Sequence, residues 1–161
     1  MLNRNSKKLI YLAIGLLILS IAGVSIVVFL FTRSPNYSYS CKINEVDGNQ
    51  LNLDCEDDRK TFSKQVKICG VNIPESSKLE AEKLITSLTN NQRVAVNFVG
   101  LLGNPAEIFV SDGKDKPEKA IAEELLLNGL AEFVESDSCP NSVSMKSALE
   151  IAKQNRVGIW K

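Results

Sequence analysis

Between Leu9 and Phe31 run 23 consecutive residues with no charge, no proline and no Asn or Gln, dominated by Leu, Ile and Val. At the helical rise such a run spans a bilayer, whose hydrocarbon layer needs about 20 apolar residues. A soluble helix that is apolar all round needs a large protein to cover it, and this chain has 161 residues. A cleaved signal peptide is the rival reading, but its apolar region is ~7–15 residues long and ends at a small-x-small site. Here the run is longer and is followed by Thr32-Arg33-Ser34-Pro35-Asn36. The expectation is an uncleaved anchor over 9–31, a short N-terminus over 1–8, a polar linker over 32–40 and one globular domain over 41–161.

Charge orients the anchor and limits the partners. Arg4, Lys7 and Lys8 precede the run and only Arg33 follows it closely, so the N-terminus is expected to be cytoplasmic and the domain extracytoplasmic, either periplasmic or extracellular. The chain balances 19 basic against 19 acidic residues, but those four bases lie in a stretch without an acid; the rest carries 15 against 19, a net charge of −4. Binding nucleic acid by its backbone calls for concentrated positive charge, whereas the lysines here are scattered, so nucleic acid is not the favoured partner. The expected partners are the membrane, through 9–31, and a protein of the envelope or of a membrane complex. With no histidine in the chain, Ser-His-Asp and Cys-His catalysis are excluded, and a zinc site would need cysteines or carboxylates. No cofactor is expected from this composition, and no glycine loop of the phosphate-cradling kind occurs.

The first hairpin is legible residue by residue. Cys41-Lys42-Ile43-Asn44-Glu45-Val46 and Gln50-Leu51-Asn52-Leu53-Asp54-Cys55 alternate with period two around Asp47-Gly48-Asn49. With a three-residue turn, Ile43 faces Leu53 and Cys41 faces Cys55, so the register that matches apolar residues also matches the cysteines. Outside the cytoplasm this pair is expected to be a disulfide; a pair of free thiols in the core is the alternative. A second bridge, Cys69–Cys139, follows from parity alone.

Further on, Glu56-Asp57-Asp58-Arg59-Lys60 reads as a solvated turn and a strand runs from about Thr61 to Val71, with a glycine break at Gly70 and a Pro74-Glu75 step into a helix. That helix, from Ser76 to about Asn90, is expected to turn Leu79, Leu84, Ile85 and Leu88 inward with Ala81 on the flank. Strands over 93–99 and 107–110 flank a loop ending in Asn104-Pro105. A second helix is expected to begin near Pro117, bury Ile121, Leu125 and Leu126, and stop at Asn128-Gly129. A third runs from about Ser142 to Asn155, after which Trp160 packs back. Three strands, a helix, two strands and two helices give an α+β fold, expected as a five-stranded OB-type β-barrel with three helices.

Asp47-Gly48, Gly70-Val71-Asn72-Ile73-Pro74-Glu75, Phe109-Val110-Ser111-Asp112-Gly113, Asn128-Gly129-Leu130-Ala131, and Ala152-Lys153 through Gly158-Ile159-Trp160 occur in the order and spacing of one family. Over residues 41 to 161 the chain resembles the staphylococcal nuclease, or thermonuclease-like, family. That resemblance implies metal-assisted phosphodiester hydrolysis: carboxylates hold Ca²⁺, a glutamate activates water, and two arginines stabilise the charged phosphorus centre. Carried over by position, the first metal carboxylate falls on Asn49 and the second on Asn72. The first arginine falls on Lys67 and the second on Asn104, while the glutamate is retained as Glu75.

Two neutral amides in place of anionic ligands weaken calcium binding, because ligand charge sets its affinity. Losing one preorganised charge-stabilising donor costs ~10²–10³ in rate, and both guanidinium groups are replaced. Glu75 also has a structural reading, as an acid in the first turn of a helix. The resemblance thus implies a membrane-anchored nuclease-like domain that has lost hydrolysis and serves as a binding or assembly module. The alternative is an active or residual Ca²⁺-dependent extracytoplasmic nuclease of DNA or RNA, with its metal on Asp47, Asp54 or Asp112.

Overall fold

The computed structural model describes residues 38–57, 60–90, 92–99, 104–111, 118–136 and 139–161. The expected anchor over 9–31, the 1–8 segment, most of the linker, Asp112 and Pro117 lie outside the described residues. Among the described residues no helix is long and apolar enough to cross a membrane.

β1 (Tyr39–Asp47) and β2 (Gln50–Asp57) form the first hairpin, with Cys41 opposite Cys55 and Ile43 opposite Leu53. Nearer the turn the pairs become Glu45 with Asn52, Val46 with Leu51 and Asp47 with Gln50. The expected three-residue turn is therefore a two-residue Gly48-Asn49 turn plus a bulge between Ile43 and Glu45, and the bulge restores the outer register. Gly48, at φ +57°, supplies the left-handed position that a two-residue hairpin turn requires.

β3 (Lys60–Lys67) pairs with β2 along its whole length, and β1 pairs on its other side with β5 (Arg93–Phe98). Beyond β5 lie β6 (Ala106–Val110) and β7 (Lys119–Ala120), giving the order β3-β2-β1-β5-β6-β7. All the ladders of this six-stranded sheet are antiparallel. A parallel bridge joins Ile68, just past β3, to Ala106 in β6, and Cys69 N–H donates to Ala106 O at 2.9 Å. Since β3 and β6 are four places apart in the sheet order, this contact requires the sheet to curl on itself.

The strand expected from Thr61 to Val71, with its glycine break at Gly70, is divided at that break. Gly70 at φ +72° turns the chain out of the sheet after Ile68, and β4 (Val71–Asn72) pairs instead with β8 (Glu132–Phe133) as a separate ribbon. Five strands were expected, and β4, β7 and β8 are additional. None exceeds two residues, too short for a periodic sequence pattern.

A 3₁₀ turn at Glu75–Ser77 leads into α1 (Lys78–Thr89). The buried face of α1 is Ala81, Ile85 and Thr89, with Leu84 and Leu88 packed beside it. Leu79 departs from expectation, being 63% exposed. It lies two residues, roughly 200° around the helix, from Ala81, the centre of the buried stripe. α2 spans Ile121–Leu127, later than Pro117, because pairing of Phe109 with Ala120 and Val110 with Lys119 holds the preceding residues extended. It buries Ile121, Leu125 and Leu126 as expected. α3 spans Ser142–Asn155, and the closing 3₁₀ turn Gly158–Trp160 packs back where Ile159 N–H donates to Gly129 O at 2.9 Å. A Cβ on Gly129 or Gly158 would run into the backbone of the other segment.

The core fills the concave side of the sheet. Cys41, Leu51, Leu53, Cys55, Val66, Val94 and Val96 are each at most 2% exposed, and Ile85, Leu125 and Leu126 close over them at 0%. Each large aliphatic side chain buried this way contributes roughly 1.5–3 kcal/mol. Both disulfides, Cys41–Cys55 and Cys69–Cys139, are formed, with no free cysteine.

Candidate functional site: an amide-lined cleft

Lys67 ends β3 and Asn49 immediately precedes β2, so the end of the β2–β3 ladder, where Gln50 pairs with Lys67, brings them side by side: Ile68 N–H donates to Asn49 O at 2.9 Å. Asn104 reaches across from the approach to β6, its Oδ1 accepting Lys67 N–H at 2.9 Å. Asn72 stands on β4, close to Val71, whose carbonyl accepts a 3.4 Å bond from Asn49 Nδ2. These four residues line one open cleft of about 530 Å³. Gly70, Pro105, Val134, Ser136 and Cys139 complete its described wall.

The cleft carries amides where the resemblance implies carboxylates, and no Asp or Glu is among its described lining residues. Asn49 and Asn72 have their amide nitrogens turned toward protein acceptors, the second toward Glu132 Oε2 at 3.5 Å. Lys67 is exposed and makes no ion pair among the described residues. Among the described lining residues the charged group is thus one ammonium beside three neutral amides, an environment that disfavours a bare divalent cation.

Glu75 is not part of this lining. It is exposed, at the start of the 3₁₀ turn, which buried Ser77 anchors through its hydroxyl, 2.8 Å from Leu130 O and 3.1 Å from Pro74 O. Its electrostatic surroundings are set by Lys78, which pairs with Asp47 at 2.5 Å. Hydrogen bonding and charge attraction from Asp47, and then the fields of Glu75 and Glu82, raise the Lys78 pKa. Glu82 in turn accepts Gly48 N–H at 3.0 Å. The carboxylates at the hairpin turn are therefore gathered around a lysine.

Of the alternative metal carboxylates, Asp112 lies outside the described residues, and Asp47 and Asp54 are engaged at different places. Asp47 is engaged by Lys78, and Asp54 lines other surface hollows with Ser63. Hydrogen bonds from Ser63 and then Asn44 hold the Asp54 carboxyl below its ordinary range. Among the described residues no three Cys, Asp or Glu side chains stand close enough to share a metal ion.

One polar group near the cleft escaped sequence reading. Glu107 in β6 is buried, and Asn141 Nδ2, from the residue preceding α3, donates to its Oε1 at 2.7 Å. Its strand reads as continuous apolar sequence around one acid, and only the covering of both strand faces reveals that the acid points inward. No protein-family model and no curated protein matches this chain.

Proposed function

We propose that residues 41–161 form a thermonuclease-like OB-type barrel that no longer hydrolyses phosphodiesters and acts, held to a membrane by 9–31, as a binding or assembly module for an envelope partner. The five longer strands support the barrel: β1 pairs with both β2 and β5, and β3 meets β6 in parallel at Ile68 and Ala106. Two disulfides support an oxidising, extracytoplasmic location.

The single observation that carries the loss of hydrolysis is the cleft itself. Asn49, Lys67, Asn72 and Asn104 meet in one hollow whose lining, among the described residues, includes no carboxylate. A calcium-assisted mechanism needs hard anionic ligands and a base facing the same space. Here the amides and the lone ammonium offer hydrogen bonds instead, while Glu75 stands outside beside Lys78.

Titration of the purified chain with millimolar calcium chloride in a calorimeter tests the reading, together with incubation on DNA and RNA. Neither binding heat nor calcium-dependent cleavage is expected. Cleavage that Glu75→Gln abolishes without unfolding the protein would establish the nuclease alternative.

A further inference from the structure

Among the described residues Glu107 is the one charged side chain in the buried set, at 9% exposure. It is held by amides. Asn141 donates through Nδ2 at 2.7 Å and also through its backbone N–H, and Asn97, directly opposite on β5, donates from its side chain. Asn141 is the N-cap residue of α3, yet its side chain makes no capping bond to its own helix. It reaches back to β6 instead, so the buried carboxylate does for the helix start what a capping side chain ordinarily does.

The segment leading into that helix forms one side of the cleft. Cys139, two residues before Asn141, is bonded to Cys69 and lines the cleft with Val134 and Ser136. Cys69, Glu107, Asn141 and Met145 line a small hollow separate from it. The disulfide therefore stands between the carboxylate and the cleft. Met145, one turn into α3, packs so closely on the cleft residue Gly70 that a Cβ there would lie 2.7 Å from Sδ.

We propose that Glu107 is the positioning residue of the cleft: through Asn141 it fixes the start of α3, and its ionisation sets where Cys139, Ser136 and Val134 stand. The placement of the wall follows from this geometry alone; its consequence for ligands rests on the binding reading above. Asn97 Oδ1, buried and without a hydrogen-bond partner among the described residues, supplies the second state. When Glu107 takes up a proton from solvent it becomes a donor, and turning the Asn97 amide over presents Oδ1 to accept that O–H. One oxygen is then withdrawn from Asn141, whose two donors must share what remains.

The groups facing Glu107 are Asn97 from β5, Asn141 and Met145 from α3, Ala120 from β7, Cys69, and Glu123 from α2. Glu123, which accepts the Ser144 hydroxyl, is the charged one. Burial first, and the field of Glu123 in addition, push the Glu107 carboxyl above its ordinary 4.5, so the switch lies above the pH at which an exposed glutamate titrates.

The test uses ¹H–¹⁵N spectra of the full-length, oxidised chain in detergent micelles, titrated from pH 7.5 to 4. The amides of Asn141, Cys139, Ser136 and Val134 are expected to shift with one common midpoint, equal to that of the Glu107 side-chain carboxyl read by ¹³C. Glu107→Gln should remove the transition, Glu107→Asp should retain one, and Glu123→Gln should retain it with a lower midpoint. Cleft amides that stay still, or that titrate apart from the Glu107 carboxyl, overturn the proposal, and the ¹³C comparison on the wild type decides it even where a variant fails to fold. Calcium binding or nuclease activity would refute the proposed function without touching this result.

Discussion

The two disulfides join very different pairs. Cys41 and Cys55 already face each other across the β1–β2 ladder, 14 residues apart. Cys69 and Cys139 are 70 residues apart and share no ladder; their bond ties the chain leaving the sheet to the residues leading into α3. The first reinforces contacts that the hairpin makes unaided, and the second holds together a region with few backbone pairs of its own. On the side of the cleft that this second bridge ties down, pairing among the described residues is limited to the two-residue β4–β8 ribbon and the Ile68–Ala106 bridge.

The largest expected effect separates these bridges. In the chain-entropy account, a 70-residue separation is worth about 4.4 kcal/mol and a 14-residue one about 3 kcal/mol. Replacing Cys69 and Cys139 together by alanine should therefore lower stability more than replacing Cys41 and Cys55. Urea unfolding followed by the fluorescence of Trp160, the chain's one tryptophan, measures both. A larger loss from the hairpin pair would mean that packing of these buried sulfurs outweighs chain constraint, and the contrast between the regions would fail.

Two glycines sharpen the contrast. Gly48 and Gly70 have similar left-handed conformations, φ +57° and +72°, and either residue as alanine meets a backbone cost of ~1–2 kcal/mol. Their surroundings differ. A Cβ at Gly48 finds only the flexible Lys78 stem, at 3.8 Å, whereas one at Gly70 lies 2.7 Å from Met145 Sδ. Gly70→Ala should add an overpacking cost of about 1–3 kcal/mol and Gly48→Ala should not. Equal losses would show that Met145 moves aside freely and that α3 is not seated firmly on the cleft.

The same contrast governs what was legible in advance. The hairpin register was readable because Ile43, Leu53, Cys41 and Cys55 repeat with period two and are matched across the turn, even though the turn is shorter than inferred and a bulge makes up the difference. α3 was readable between Ser142 and Asn155, since Met145, Ala148 and Ala152 repeat at helical spacing. The ribbon partner of Val71 was not readable, because two-residue strands contacting a segment about 60 residues away leave no local pattern. Leu79 misled for a related reason: hydrophobicity alone does not choose which of two possible helix faces the sheet covers. At the cleft, Asn49, Lys67, Asn72 and Asn104 came from position in a resemblance, and the structure brings those four together while leaving Glu75 apart. Glu107 was missed because whether a lone acid in a strand is solvated or buried depends on layers supplied by distant helices.

The pH dependence of stability distinguishes the regions further. Glu107 binds its proton more tightly folded than unfolded, because burial raises its pKa above 4.5. The folded state then holds more protons between the two values, so this group's contribution is fully present below about pH 4.5 and falls away as pH rises through the folded pKa. Asp54 and Glu135 have the opposite sign. Ser63 and Asn44 lower the first, Lys146 lowers the second, and what they contribute is lost as pH falls through their folded values. Replacing Glu107 by glutamine should flatten the decline on the alkaline side of 4.5, leaving the acid-side loss in place. Urea midpoints at half-unit pH steps are the measurement, and an unchanged alkaline-side slope would assign that decline to another group.

The smallest expected effect concerns Glu75 itself. It is exposed on a 3₁₀ turn that Ser77 fixes from inside, so Glu75→Gln removes one carboxylate near Lys78 and leaves the anchoring hydrogen bonds intact. Asp47, in direct contact at 2.5 Å, remains the ammonium's main partner. Stability should change little, and the calcium titration should be as flat as in the wild type. The companion substitutions Asn49→Asp and Asn72→Asp act on the cleft directly. They add two anionic oxygen ligands where wall residues already converge, so a calcium heat appearing in that double variant, then reduced by adding Glu75→Gln, would bring the exposed glutamate within reach of the cleft. A heat that appears but is indifferent to Glu75→Gln would instead assign Glu75 to the hairpin-turn charges around Lys78, electrostatically separate from the ligand cleft.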